Sequence, residues 1–248
     1  MPKSTLLSRS SRRSVPRAID ARLIVMAKHP APGRAKTRLA AAIGAPAAVS
    51  LSRAFIRDLA TRLAALPYAV TWAYWPRGVP FRALLGGLPA GWRCRLQRGR
   101  DLGERMTNAI RAELARGCGP VLVIGADVPH LSAAALAEAA AALTSGSDLV
   151  LGPAADGGYY LIGLTACRPA LFAEMPWGSE AVFVTTRRRA RRLGLRTHVL
   201  SPTFDVDERE DLDRLRALIA RGALDLRQTA RVLARVAQAG GRQAGGRP

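Results

Sequence analysis

Of the 38 basic residues in the chain only Lys3, Lys28 and Lys36 are lysines, and two of these three fall in one stretch, "MAKHPAPGRAKTRL", residues 26–39. A compact ammonium on a flexible stem differs chemically from a planar guanidinium, so this placement in a chain that otherwise uses Arg points to a site. Gly33 permits close backbone approach, Pro30 and Pro32 stiffen the loop, and Lys28, Arg34, Lys36 and Arg38 bring positive charge to the expected start of a helix. Free N–H groups at a helix N-terminus already favour anions, so the loop suits phosphate. It matches neither the GxxxxGK[ST] nor the GxGxxG pattern. Taken alone, such a loop is equally well a solvated basic turn.

Three acidic stretches complement it. In "GADVPHL" (125–131), Asp127 ends a wholly apolar run, where a hard divalent cation bridging phosphates would take a carboxylate oxygen; the alternative is a cap on the turn. In "GPAADGGYYLIG" (152–163), Asp156 is placed to accept a hydrogen bond from a ligand hydroxyl. Gly157 and Gly158 allow close approach, although Asp-Gly also makes an ordinary hairpin turn. In "FDVDERED" (204–211), alternating carboxylates leave Asp207 able to face the same crevice as a second cation ligand. Glu208, Glu210 and Asp211 suit the first turn of the next helix. None of His29, His130 and His198 stands where a general base is expected, which leaves Asp156 to orient or deprotonate an acceptor. The chemistry this set suggests is electrostatic: positive charge set against charge growing on a departing phosphate.

Such residues converge only if a sheet carries them. "RLIVMA" (22–27) and "VLVIGAD" (121–127) read as strands buried on both faces, and "AVTWAYW", "CRLQ", "DLVLGPA", "GYYLIGL" and "RTHVL" as further strands. Helices are expected from Thr37, interrupted near Gly44 and resumed at Pro46 to Leu66; over 102–116; over 132–143 with Ser132 as cap; over 181–194; and over 208–220. This alternation predicts an α/β fold: a Rossmann-like, mostly parallel sheet with helices on both faces and ligands beyond the carboxyl ends of the strands. The expected organisation is a disordered basic segment over 1–20, one α/β domain over 21–222, and a C-terminal helix with a flexible Gly/Arg tail over 223–248.

With a net charge of +20, nucleic acid is the first partner to weigh. Much of the excess lies in the first 22 residues, in "RRRARR" (187–192) and after Gly222, and only 5% of residues are aromatic, so Arg-rich solvated faces explain it better. No run approaches the roughly 18–20 apolar residues of a spanning helix, and the start of the chain lacks the apolar segment of a secretory signal, so a cytoplasmic protein is expected. Cys94, Cys118 and Cys167 fit neither a disulfide framework nor a zinc pattern.

In order and spacing, "KHPAPGRAKTRL", "RDLGERM", "GADVPHL", "LGPAADGGYYLIGL", "PWGSEAVFVTT" and "DVDEREDL" closely resemble a DUF-type family of bacterial GT-A-fold transferases known as arsenosugar-biosynthesis glycosyltransferases. More distantly they are similar to molybdenum-cofactor and phospholactate guanylyltransferases. The resemblance spans about residues 21–220. It implies a nucleotide-diphospho-sugar transferase-like mixed sheet, a nucleotide-sugar or nucleoside triphosphate donor, Mg2+ or Mn2+, and a small hydroxylated acceptor. By that likeness Lys28, Gly33, Lys36 and Arg38 contact donor phosphates, Asp127 holds the metal and Asp207 is its second ligand. Asp101, Glu104 and Arg105 fall where such proteins contact or order the nucleotide, and Trp177 where a ligand ring would stack. The family more often has Thr and Cys in "GTDCP", where this chain has Ala126 and Val128, which changes the polarity around Asp127 without replacing it.

The leading expectation is therefore glycosyl transfer from a nucleotide-diphospho-sugar. Its alternatives are nucleotidyl transfer to a phosphorylated small molecule, a ligand-binding relative without turnover, and an Arg-rich nucleic-acid-binding protein.

Overall fold

A computed structural model describes residues 21–244 apart from 35 and 118. The expectations for residues 1–20 and Cys118 lie outside the described residues. The strands are β1 (Arg22–Lys28), β2 (Ala69–Trp75), β3 (Arg93–Leu96), β4 (Val121–Gly125), β5 (Leu149–Pro153), β6 (Tyr159–Leu164) and β7 (Thr197–Val199). The helices are α1 (Thr37–Ile43), α2 (Ala45–Ala64), α3 (Phe81–Leu84), α4 (Leu102–Leu114), α5 (Ala133–Thr144), α6 (Val182–Arg192), α7 (Arg209–Ala220) and α8 (Arg227–Ala244). They build one seven-stranded sheet in the order β3-β2-β1-β4-β6-β5-β7. Only β6 runs antiparallel to its neighbours β4 and β5. The expected α/β architecture, a mostly parallel mixed sheet with helices on both faces, is thus present.

The continuous apolar run of β1 follows from its position. Leu23, Val25 and Ala27 face α2 and α5, whereas Ile24 faces α4 on the other side, so neither face meets water. Leu23, Ile24 and Val25 are fully buried, each contributing ~1.5–3 kcal/mol of transfer free energy. A third cluster packs Leu39 of α1 and Phe55 of α2 against Leu212 and Leu215 of α7 and Leu233 of α8. The Asp58 carboxylate of α2 accepts hydrogen bonds from Gln228 N (3.0 Å) and Thr229 N (2.8 Å), capping α8 from a distant part of the chain. The C-terminal helix is accordingly part of the same packed body, and it runs to Ala244, into the Gly-containing stretch read from sequence as tail. The chain reverses strand order on either side of β1 and β4, which makes their carboxyl ends the topological switch point of the sheet.

Candidate functional site

At that switch point β1 ends in Lys28 and leads into the basic loop, while β4 ends in Gly125 and leads to Asp127. His29 N donates to Trp75 O of β2 (2.7 Å), and Gly33 takes a left-handed conformation at φ 68°, turning the chain back over the sheet end. Lys36 is also left-handed (φ 52°), an uncommon conformation for a side chain with a Cβ, and it immediately precedes α1. Its ammonium points inward and lies 2.8 Å from Asp127 Oδ1 and 2.5 Å from Asp207 Oδ1. The three residues that the sequence placed around one cation and its phosphates do converge.

The charges are unequally wetted. The Lys36 side chain is 3% exposed, whereas those of Asp127 and Asp207 are 52% and 39% exposed. Burial disfavours the lysine's charge, but the two carboxylates more than offset it and hold its pKa above the ordinary value. The acidic partners are fixed from both sides. Val206 N donates to Asp127 O (3.1 Å), tying the turn after β4 to the segment that carries Asp205 and Asp207. Arg62 donates to Pro129 O (2.9 Å) and Leu131 O (2.8 Å), and His130 stacks on Phe204 with ring centroids 4.2 Å apart while its Nε2 lies 3.2 Å from Thr203 Oγ1. Burial among apolar groups, with Arg62 and Arg214 nearby, pushes the His130 imidazole down to about 4, so it is neutral near pH 7 and serves as packing rather than as a base.

A cavity of about 290 Å³ opens beside this triad, lined by Lys28, Arg34, Lys36 and Arg38 from the loop, by Asp127 and Asp207, and by Ser52 and Ile56 of α2. Ser52, which sequence reasoning passed over, is buried with its hydroxyl unpartnered among the described residues. Lys28 also lies over the Trp75 ring, 5.7 Å from its centroid. Arg38 donates to Glu208 Oε1 (2.7 Å) in an exposed pair at the cavity rim. Asp211, as expected of a first-turn carboxylate, accepts from Glu208 N (3.0 Å).

Other singled-out residues fall elsewhere. Asp101 caps α4 by accepting from Glu104 N (2.8 Å), Glu104 pairs with Arg100, and Arg105 donates to Gly99 O (3.1 Å) while lying over Trp75. These contacts order the loop before α4, and none of the three lines the basic cavity. Asp156, Gly157 and Gly158 form the β5–β6 hairpin turn, with Asp156 Oδ1 accepting from Gly158 N (2.9 Å). Gly157 has φ 83°, and a Cβ there would come within 2.4 Å of the Glu180 backbone, so glycine is required. Asp156, Gly158 and Trp177 line a second cavity on the α4 side of the sheet.

Asp205 lines that second cavity too, and sequence reasoning gave it no role. Its Oδ1 is buried without a partner among the described residues, and desolvation, reinforced by Asp127 and Asp156, pushes its carboxyl up to about 7. Asp127 and Asp207 each direct Oδ1 at the Lys36 ammonium while remaining 52% and 39% exposed, so their other carboxylate oxygens are the ones that could hold a hard divalent ion. Among the described residues no three His, Cys, Asp or Glu side chains cluster as a ligand set. Two carboxylates, completed by substrate phosphates and water, is the pattern Mg2+ favours.

Comparison with known proteins bears on this geometry. Residues 59–179 match the family described as an uncharacterized protein conserved in bacteria (DUF2064). A crystal structure from Desulfovibrio desulfuricans G20, of a protein provisionally named a nucleotide-diphospho-sugar transferase, is 32% identical, with a TM-score of 0.79 over 88% of this chain and 97% of its own. Two more distant structures share the fold at 10% identity. They are a 4-diphosphocytidyl-2C-methyl-D-erythritol synthase from Anaerococcus prevotii DSM 20548 (TM-score 0.53; 81% of this chain, 98% of that one) and a cytidylyltransferase from Leptospira borgpetersenii (0.51; 90% and 95%). No functionally curated protein matches the sequence.

Proposed function

The chain belongs to the bacterial DUF2064 family, and from that premise we propose that it is a metal-dependent transferase moving a sugar from a nucleotide-diphospho-sugar to a small hydroxylated acceptor. The observation that carries this reading is Lys36 between Asp127 and Asp207, at the floor of a cavity walled by Lys28, Arg34 and Arg38. The provisional name of the Desulfovibrio relative supports the same donor class.

In this reading Lys28 and Arg34, neither of which lies in an ion pair among the described residues, bind the donor's phosphates, and Arg38 closes the rim. Asp127 and Asp207 would hold Mg2+ or Mn2+, which when bound supplies positive charge against phosphate oxygens. Lys36 keeps the two carboxylates together and adds a fixed positive charge beneath them. As the bond from the sugar to phosphate breaks, negative charge grows on the departing nucleoside diphosphate. Pre-positioned cations stabilise that charge without reorganising, so the acceleration is electrostatic rather than covalent. Asp156, across the end of β4, orients the acceptor hydroxyl and takes its proton.

A thermal-shift series with UDP-, GDP-, CDP- and dTDP-sugars and with nucleoside triphosphates, each with and without Mg2+ or Mn2+, tests the donor. Metal-dependent stabilisation by a nucleotide-sugar is expected, followed by release of nucleoside diphosphate on turnover. Release of pyrophosphate would instead identify nucleotidyl transfer, and stabilisation by none of these compounds would remove the reading altogether.

A further inference from the structure

The second cavity, about 180 Å³, lies against the opposite face of the same sheet end. Its walls come from Met26 of β1, Met106 of α4, Tyr159 of β6 and Trp177, and the Tyr159 and Trp177 rings meet edge to face with centroids 6.4 Å apart. Asp156 and Asp205 are its acidic groups, and among the described residues no Lys, Arg or His lines it. Two polar atoms in this lining, the Tyr159 hydroxyl and Asp205 Oδ1, are buried without a partner among the described residues. Buried polar groups ordinarily have partners, so a ligand that supplies them is the natural complement. Gly125 completes the wall: a Cβ added there would meet nothing closer than Asp127 N at 3.8 Å, leaving room at the point where this cavity approaches the basic one.

We infer that this cavity is the acceptor subsite, and that the acceptor is a small alcohol with a flat apolar body and no phosphate or carboxylate group. The inference rests on the transferase reading above and narrows it. An anionic acceptor would meet the Asp156 carboxylate and the buried Asp205 carboxyl with no cation in the described lining to offset them, which disfavours it. The aromatic walls and Met26 and Met106 favour an apolar body over a polyol. In the transfer the acceptor oxygen bonds to the donor's anomeric carbon, and that carbon's bond to the phosphate oxygen breaks. The electron pair leaves with the nucleoside diphosphate, and the hydroxyl proton passes to the Asp156 carboxylate. Nucleotidyl transfer to a phosphate group would set an anion against the same two acidic side chains, so this charge pattern favours glycosyl transfer.

The test compares benzyl alcohol, benzyl phosphate and benzoate, binding being read by ligand-observed NMR on the full chain with and without the nucleotide that gives the largest thermal shift. The alcohol is expected to bind at least about tenfold more tightly than either anion. Gly125→Val, whose Cβ would meet nothing closer than Asp127 N at 3.8 Å and whose methyl groups project toward the cavity mouth, is expected to abolish alcohol binding while the nucleotide-induced thermal shift persists. Equal or tighter binding of benzyl phosphate or benzoate, no binding by the alcohol, or alcohol binding unaffected by Gly125→Val would overturn the inference. Failure of the donor reading looks different: no nucleotide shifts the melting temperature, whatever the alcohol does.

Discussion

The two cavities at the end of the sheet share a boundary at residues 125–127 and 205–207 but have opposite chemistry. On the α2 side, Lys28, Arg34, Lys36 and Arg38 line a polar space; on the α4 side, Asp156 and Asp205 sit among Met26, Met106, Tyr159 and Trp177. The difference shows how one crevice sorts charge: all the cations come from one stretch of chain, residues 28–38, whereas carboxylates reach both sides from strand ends and turns. Asp205 and Asp207 illustrate it within one short segment, the first lining the aromatic cavity and the second the basic one. A phosphate-bearing donor and an uncharged acceptor would then approach from opposite faces of the sheet.

The strongest way to break the contrast is Lys36→Met, which leaves Asp127 and Asp207 facing each other without their shared cation. Nucleoside diphosphate release under saturating donor is expected to fall by about a hundredfold or more, with alcohol binding on the α4 side intact. Next comes the turn after β4, whose His130 packs on Phe204. His130 is held neutral, its pKa lowered from 6.5 to about 4. The folded chain therefore binds fewer protons than the unfolded chain between those values. Its stabilising effect is full above about 6.5, declines as pH falls and is gone near 4, an effect on the order of 3 kcal/mol at most. Urea midpoints measured across that window should fall for the natural chain and much less for His130→Gln. Gly157→Ala sharpens the comparison from the other side: the left-handed φ and the close Glu180 backbone imply a loss of ~1–3 kcal/mol, with nucleotide-induced stabilisation retained. The smallest effect belongs to Arg38→Ala. Its ion pair with Glu208 is exposed at both ends, so the urea midpoint should barely move, and less in high salt.

Much of this arrangement was legible in the sequence because local pattern and global role coincide. Apolar runs buried on two faces announced β1 and β4, and an acidic residue ending such a run had to lie at the sheet edge, which located Asp127 opposite Lys36. The break at Gly44 and the cap at Ser132 are likewise local, and each sits where sequence placed it. What escaped depends on distant partners. Asp205 and Asp207 take different cavities because Val206 N is tied to Asp127 O, a contact that no alternation rule foretells. The start of α8 is capped by Asp58. The short α3 lies between prolines and glycines that read as loop, and forms because Phe81 and Leu84 have a core to enter. Arg38, expected to contact phosphate, leans on Glu208, a residue some 170 positions away whose side-chain direction the sequence leaves open.

Amide hydrogen exchange with and without the nucleotide-sugar that most stabilises the protein tests the division of labour most directly. The account predicts slowed exchange in the loop over 28–38 and at 126–127, with the segments 156–160 and 177–179 unchanged until an alcohol acceptor is added. Protection by the nucleotide confined to 156–160 and 177–179, with the basic loop unaffected, would contradict it.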